Sequence, residues 1–149
     1  MLPLLALAIA CVLAAPAWAF DWQPFAEADV VEILTHDEDG AARETKVWIV
    51  VLDESGYART NDSRWLANIR RGSEVSLRLG ELTLRAHAGE RAEPALCERV
   101  ERAFLEKYGT MQRIMSALRF SEPTVLELVP EPSRTLRLGD PIEPSADGR

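Results

Sequence analysis

The sequence predicts a mainly β domain, a small antiparallel barrel with two or three helices, on three observations. Six or so short runs alternate apolar with polar residues or are apolar throughout. Turn signals built on Gly, Asp and Glu separate them at close intervals. Only two helical patterns of any length interrupt them, and one falls in the middle of the strand run, which disfavours a β-sandwich.

Before the domain, residues 1–19 read as a signal peptide. Leu4 to Ala15 is apolar, and Ala17-Trp18-Ala19 places small residues where a signal peptidase cuts, giving a new terminus at Phe20. No Lys or Arg precedes the run, which leaves an uncleaved anchor as the alternative, although the run is short for a bilayer. Cys11 lies inside the apolar run and does not form a lipoprotein acceptor. The mature chain then holds one thiol, Cys97, so no internal disulfide can form and the fold rests on packing alone. Export implies a periplasmic or secreted protein without stable membrane insertion after cleavage. The net charge of -7 argues against nucleic acid as a partner.

Along the domain, residues 20–131, Pro24 to Glu32 suggests an entry helix and Glu32 to His36 a strand. Asp37-Glu38-Asp39-Gly40 turns the chain into a strand from Ala42 to Leu52, whose centre, Val47 to Leu52, is apolar on both faces. Glu54-Ser55-Gly56 is the next turn, and Tyr57 to Thr60 pairs back, so three strands form a meander. Ser63 caps a helix from Arg64 to Arg71 that Gly72 stops. Strands at Val75–Leu79 and Leu82–Ala86 flank Gly80-Glu81. Pro94 opens a longer helix to about Lys107, striped by Leu96, Val100, Phe104 and Leu105 and ended by Gly109. Val125 to Val129 is a further strand, Arg134 to Leu138 an edge segment, and residues 132–149 a partly disordered tail.

The chemistry concentrates between Thr45 and Gly72. Arg59, Arg64, Arg70 and Arg71 lie there with Asp62 as the one acid after the turn, a local inversion of the chain's sign. Arginines beside a helix start suit an anion, a phosphate above all. Arg70 and Arg71, at the helix end, complement its dipole and read as structure. Arg59, Thr60, Ser63, Arg64 and Asn68 remain as ligand candidates. Trp48, Tyr57 and Trp65 could flank a flat ring, with Trp48 in its apolar run the readiest core filler. His36 and His87 have no metal-ligand spacing, and no nucleophile, zinc or nucleotide motif is present. Cys97 reads as a small buried hydrophobe.

The stretch RETKVWIVVLDESGYART, then SRWLAN, EVSLRLG, EKYG and TVLELVP, resembles the flavin-binding split-barrel superfamily over residues 28–131. It looks closest to an uncharacterised bacterial domain group akin to pyridoxamine-phosphate-oxidase-like and deazaflavin-dependent nitroreductase-like proteins. The resemblance implies a split β-barrel that binds FMN or a deazaflavin, for hydride transfer, at the interface of a homodimer. By the same resemblance Thr45, Lys46 and Trp48 would border the isoalloxazine, while Thr60, Ser63, Arg64 and Asn68 would hold the phosphate. Two other readings stay open on this fold: a non-enzymatic periplasmic interaction module without cofactor, and a haem binder using His36 or His87.

Overall fold

The alternating runs pair into one curled antiparallel sheet, a split barrel. The computed structural model describes residues 20–117, 122–131 and 136–137; the expected signal peptide and most of the expected tail lie outside them. In chain order the elements are α1 (Gln23–Glu27), β1 (Val31–His36), β2 (Ala42–Val47), β3 (Val50–Leu52), β4 (Ser55–Thr60), α2 (Arg64–Arg70), β5 (Val75–Leu79), β6 (Leu82–Arg91), α3 (Pro94–Ala117), β7 (Thr124–Pro130) and β8 (Leu136–Arg137). The strands lie in the order β2-β1-β5-β6-β7-β4-β3, with β8 beside β6.

Sequence-adjacent strands make the hairpins β1–β2, β3–β4 and β5–β6. Gly40 (φ 84°) and Gly80 (φ 59°) supply the positive φ that two of these turns require. The two halves of the sheet meet at β7, which pairs with β6 on one side and β4 on the other.

Several expectations need correction. The strand expected from Ala42 to Leu52 is broken: Trp48 and Ile49 belong to neither β2 nor β3, and those strands sit at opposite ends of the strand order. The three-strand meander is therefore two separate hairpins joined by a crossover. The turn expected at Glu54-Ser55-Gly56 lies one step earlier, at Asp53-Glu54, where both residues have positive φ (48° and 64°). Gly56 is instead inside β4, because a Cβ there would come within 2.9 Å of the Trp22 ring. The entry helix ends at Glu27, since Val31 already pairs in β1. The long helix does not stop at Gly109. It breaks there, at φ 51° and ψ -126°, and resumes to Ala117.

Alternation puts apolar side chains on both faces of β4 and β7. Ala58, Leu126 and Leu128 face the barrel core with Ile33, Leu77 and Trp65, while Tyr57 and Val125 face α3 with Val100 and Phe104. Leu105, expected in the α3 stripe, is 36% exposed, and Tyr108 packs against that second core in its place.

Candidate functional site

Where the chain crosses from β2 to β3, a cleft of about 250 Å³ opens between the crossover, the end of β4, α2 and α3. Lys46, Val47, Trp48, Arg59, Thr60, Trp65 and Phe104 line it. Lys46 is the last polar side chain of β2, and Trp48 follows at the break. Arg59 and Thr60 end β4, Trp65 comes from the first turn of α2, and Phe104 rises from α3.

The cleft's inner side is an ordered stack. The Arg59 guanidinium lies 4.1 Å over the Phe104 ring. Phe104 packs on Tyr108 at 5.7 Å, the i, i+4 spacing that puts both on one helix face. Tyr108 in turn stacks on Trp48 at 4.6 Å with only 9° between the planes. The Arg59 side chain is 3% exposed and ion-paired with Glu101 of α3, so its charge serves the join between β4 and α3. Lys46 by contrast is exposed at the cleft's edge.

A second hollow, of about 330 Å³, lies against another side of α2 and is lined by Asp37, Glu38, Asp39, Arg64, Ala67, Asn68 and Arg71. The residues expected around a ligand thus divide. Lys46, Trp48, Arg59 and Thr60 converge in the first cleft, whereas Arg64 and Asn68 line the second hollow and Thr45 lines neither. Ser63 caps α2 by accepting from the Leu66 N–H, and its hydroxyl lies 3.0 Å from that of Thr60. Asn68, expected to hold a phosphate, is buried, and its polar atoms are used internally. Its amide donates to Thr35 Oγ1 (3.0 Å) and Asp37 Oδ1 (2.8 Å), and its carbonyl accepts from Arg71 (2.7 Å).

Asp37 also pairs with Arg43. Hydrogen bonds from Arg43 and then Asn68 hold its carboxyl well below the usual range. Arg70 forks onto Glu90 at 2.7 and 3.0 Å and Arg71 closes α2, so both serve structure here. Tyr57, a ring candidate, is buried with its hydroxyl on Glu127, away from the cleft lining. Cys97 is half-buried, its thiol facing the Arg91 carbonyl.

His36 and His87 are both exposed, and neither lines the cleft. Among the described residues no group of three or more His, Cys, Asp or Glu could hold a metal ion, and no helix is long and apolar enough to cross a membrane.

Sequence reasoning missed Lys107 and Tyr108. Lys107 Nζ donates to the carbonyls of Ala28 (2.7 Å) and Ile49 (2.8 Å), and burial lowers the pKa of its ammonium. The Tyr108 hydroxyl accepts from the Ile49 N–H (3.1 Å) and lies 2.8 Å from the Asp29 carbonyl, while burial raises its pKa. The available signal was the EKYG helix end itself, with Tyr108 one turn beyond Phe104.

A curled antiparallel sheet with a cleft where the chain crosses from β2 to β3 is a split β-barrel. Solved structures share it. A conserved hypothetical protein of Mycobacterium tuberculosis aligns with a TM-score of 0.61 at 20% identity, over 72% of this chain and 76% of that one. HutZ, the heme storage protein of Vibrio cholerae, aligns at 0.59 and 18%, over 73% and 86%. A FAD-binding protein of Mesorhizobium loti aligns at 0.55 and 12%, over 73% and 84%. The chain belongs to the family described as "Uncharacterized protein conserved in bacteria (DUF2255)", matched over residues 21–127. No curated protein matches it.

Proposed function

We propose that this protein binds a planar, anionic ring ligand of the flavin type, FMN or a deazaflavin, in the Lys46–Trp48–Thr60–Trp65 cleft, and holds it for hydride-transfer chemistry. The observation that carries the reading is convergence. Lys46 and Trp48, Arg59 and Thr60, and Trp65 come from separate elements and meet in one cleft with Phe104.

The lining fits part of such a ligand. The half-buried Trp48 indole offers a flat apolar wall to a ring, the edge of buried Trp65 closes the cleft beside it, and Lys46 and the Thr60 hydroxyl offer polar contacts to an anionic edge. A small-molecule pocket usually measures about 300–1,000 Å³. The cleft, at about 250 Å³, is smaller, and in the homodimer we propose a second copy would complete it. A bound flavin supplies the redox chemistry itself. The side chains bind and orient the ring, and the aromatic walls exclude water. The amino-terminal residues 1–19 support placing this outside the cytoplasm.

One observation favours a second reading, an interaction module on the same fold without cofactor. Arg59 is committed to Glu101, and Arg64 lies on the other hollow, so two of the expected phosphate-binding cations are not offered to the cleft.

The two readings separate in a titration of residues 20–149 with FMN, followed by visible absorbance and flavin fluorescence. We expect saturable quenching, weakened about tenfold in Lys46→Ala by loss of a charge-assisted contact. Arg64→Ala should bind like the parent. Absence of binding up to high micromolar concentrations of both FMN and a deazaflavin would overturn the flavin-type reading in favour of the second.

A further inference from the structure

We propose that Tyr108 and Lys107 are positioning residues for the cleft: they fix the crossover between β2 and β3, and through it the angle at which Trp48 walls the ligand site. The proposal rests on the reading of that cleft as a ring-binding site.

At the crossover the chain has left one ladder and not yet joined the next. Ile49 is fully buried there, and a buried peptide group without a ladder partner is costly unless something else bonds it. Two consecutive residues of α3 meet that demand. The Tyr108 hydroxyl accepts from the Ile49 N–H, and the Lys107 ammonium donates to the Ile49 carbonyl. The same two groups reach the link between α1 and β1, Lys107 at the Ala28 carbonyl and Tyr108 at the Asp29 carbonyl. Three segments distant in sequence are thereby pinned at one point.

A clamp needed only for stability could stop at those backbone bonds. Tyr108 does more, because its ring lies parallel to the Trp48 indole at 4.6 Å. Trp48 is thus held through its own ring and through the peptide of the next residue, both from α3. Lys107 also sits 5.2 Å over the Tyr108 ring, backing it from the side. The straight part of α3 ends immediately afterwards, at Gly109, in a backbone conformation that favours glycine.

The test uses residues 20–149 labelled with 5-fluorotryptophan, which places one fluorine probe each at Trp22, Trp48 and Trp65. In Tyr108→Leu, with ring and hydroxyl both lost, the ligand-free Trp48 resonance should shift and broaden while Trp22 and Trp65 stay unchanged. FMN affinity should fall about tenfold, the scale of one lost aromatic contact. Tyr108→Phe keeps the stack and loses the hydroxyl. It should give a loss of about fivefold, with the Ile49 amide exchanging faster by a similar factor, and it carries the test should the leucine variant not fold. Arg85→Ala, which removes the ion pairs to Glu74 and Glu131 and lines neither the cleft nor the crossover, should leave both the Trp48 resonance and FMN affinity unchanged.

An unmoved Trp48 resonance in Tyr108→Leu, an unchanged Ile49 amide exchange rate in Tyr108→Phe, or undiminished FMN affinity in either variant overturns the proposal. If the parent protein binds no FMN, the ligand reading falls, and the ligand-free Trp48 resonance still decides whether Tyr108 sets the cleft wall.

Discussion

Asp37 collects, at the end of β1, a guanidinium from Arg43 and an amide from Asn68, and both hydrogen bonds favour its ionised form. A carboxyl whose folded-state pKa is depressed stabilises the fold above its unfolded value of about 3.9, and that contribution is lost as pH falls below it. We expect Asp37→Asn to be less stable than the parent at pH 7, and the gap to narrow by pH 3, in urea unfolding at both values. A gap independent of pH would mean that the charge of Asp37 is not what the fold uses. Asn68 also marks how far residue-level reading reached. Its i, i+4 and i, i+3 spacing from Arg64 and to Arg71 puts the three on one helix face, and all three line one hollow. Spacing could not show that Thr35 and Asp37, from a strand some thirty positions earlier, would occupy its amide. Side-chain character was legible; the partner was not.

Strands and turns were legible wherever the signal was local. Ser63 as cap, the β5–β6 hairpin around Gly80 and the start of α3 at Pro94 all follow from residues within a few positions of one another. The break at Trp48-Ile49 was hidden for the opposite reason. Its run is apolar throughout, and what allows it to leave the ladder is supplied by Lys107 and Tyr108, far along the chain. Gly56 is a related case, read as a turn glycine because it follows Glu54 and Ser55. Its role is to let the Trp22 ring lie against β4, where the indole N–H reaches the Glu54 carbonyl at 2.7 Å. An added methyl would meet a rigid ring, so Gly56→Ala should cost about 1–3 kcal/mol by overpacking, read as a lower urea midpoint with an unchanged slope. A variant as stable as the parent would show that Trp22 can move aside freely.

At the scale of the whole molecule, the fold class was legible from the number and alternation of strands, but their order was not. Sequence neighbours suggested a meander, whereas β2 and β3 lie at the two ends of the order and β7 joins the halves. Every β4 residue from Gly56 to Thr60 pairs with a β7 residue, and Ala58 to Thr60 have no β3 partner beside it. A chain ending at residue 123 would therefore lose the strand between β6 and β4, and with it the floor shared by both cores. We expect that truncation to abolish cooperative thermal unfolding measured by circular dichroism, and a retained sharp transition would show that the halves hold without it. The position of β7 also sets a schedule. The β3–β4 hairpin is local in sequence, whereas the strand that covers its β4 edge lies beyond α2, β5, β6 and α3. Until β7 is in place the β4 edge is open to pairing with another chain, so refolding yield should fall as protein concentration rises.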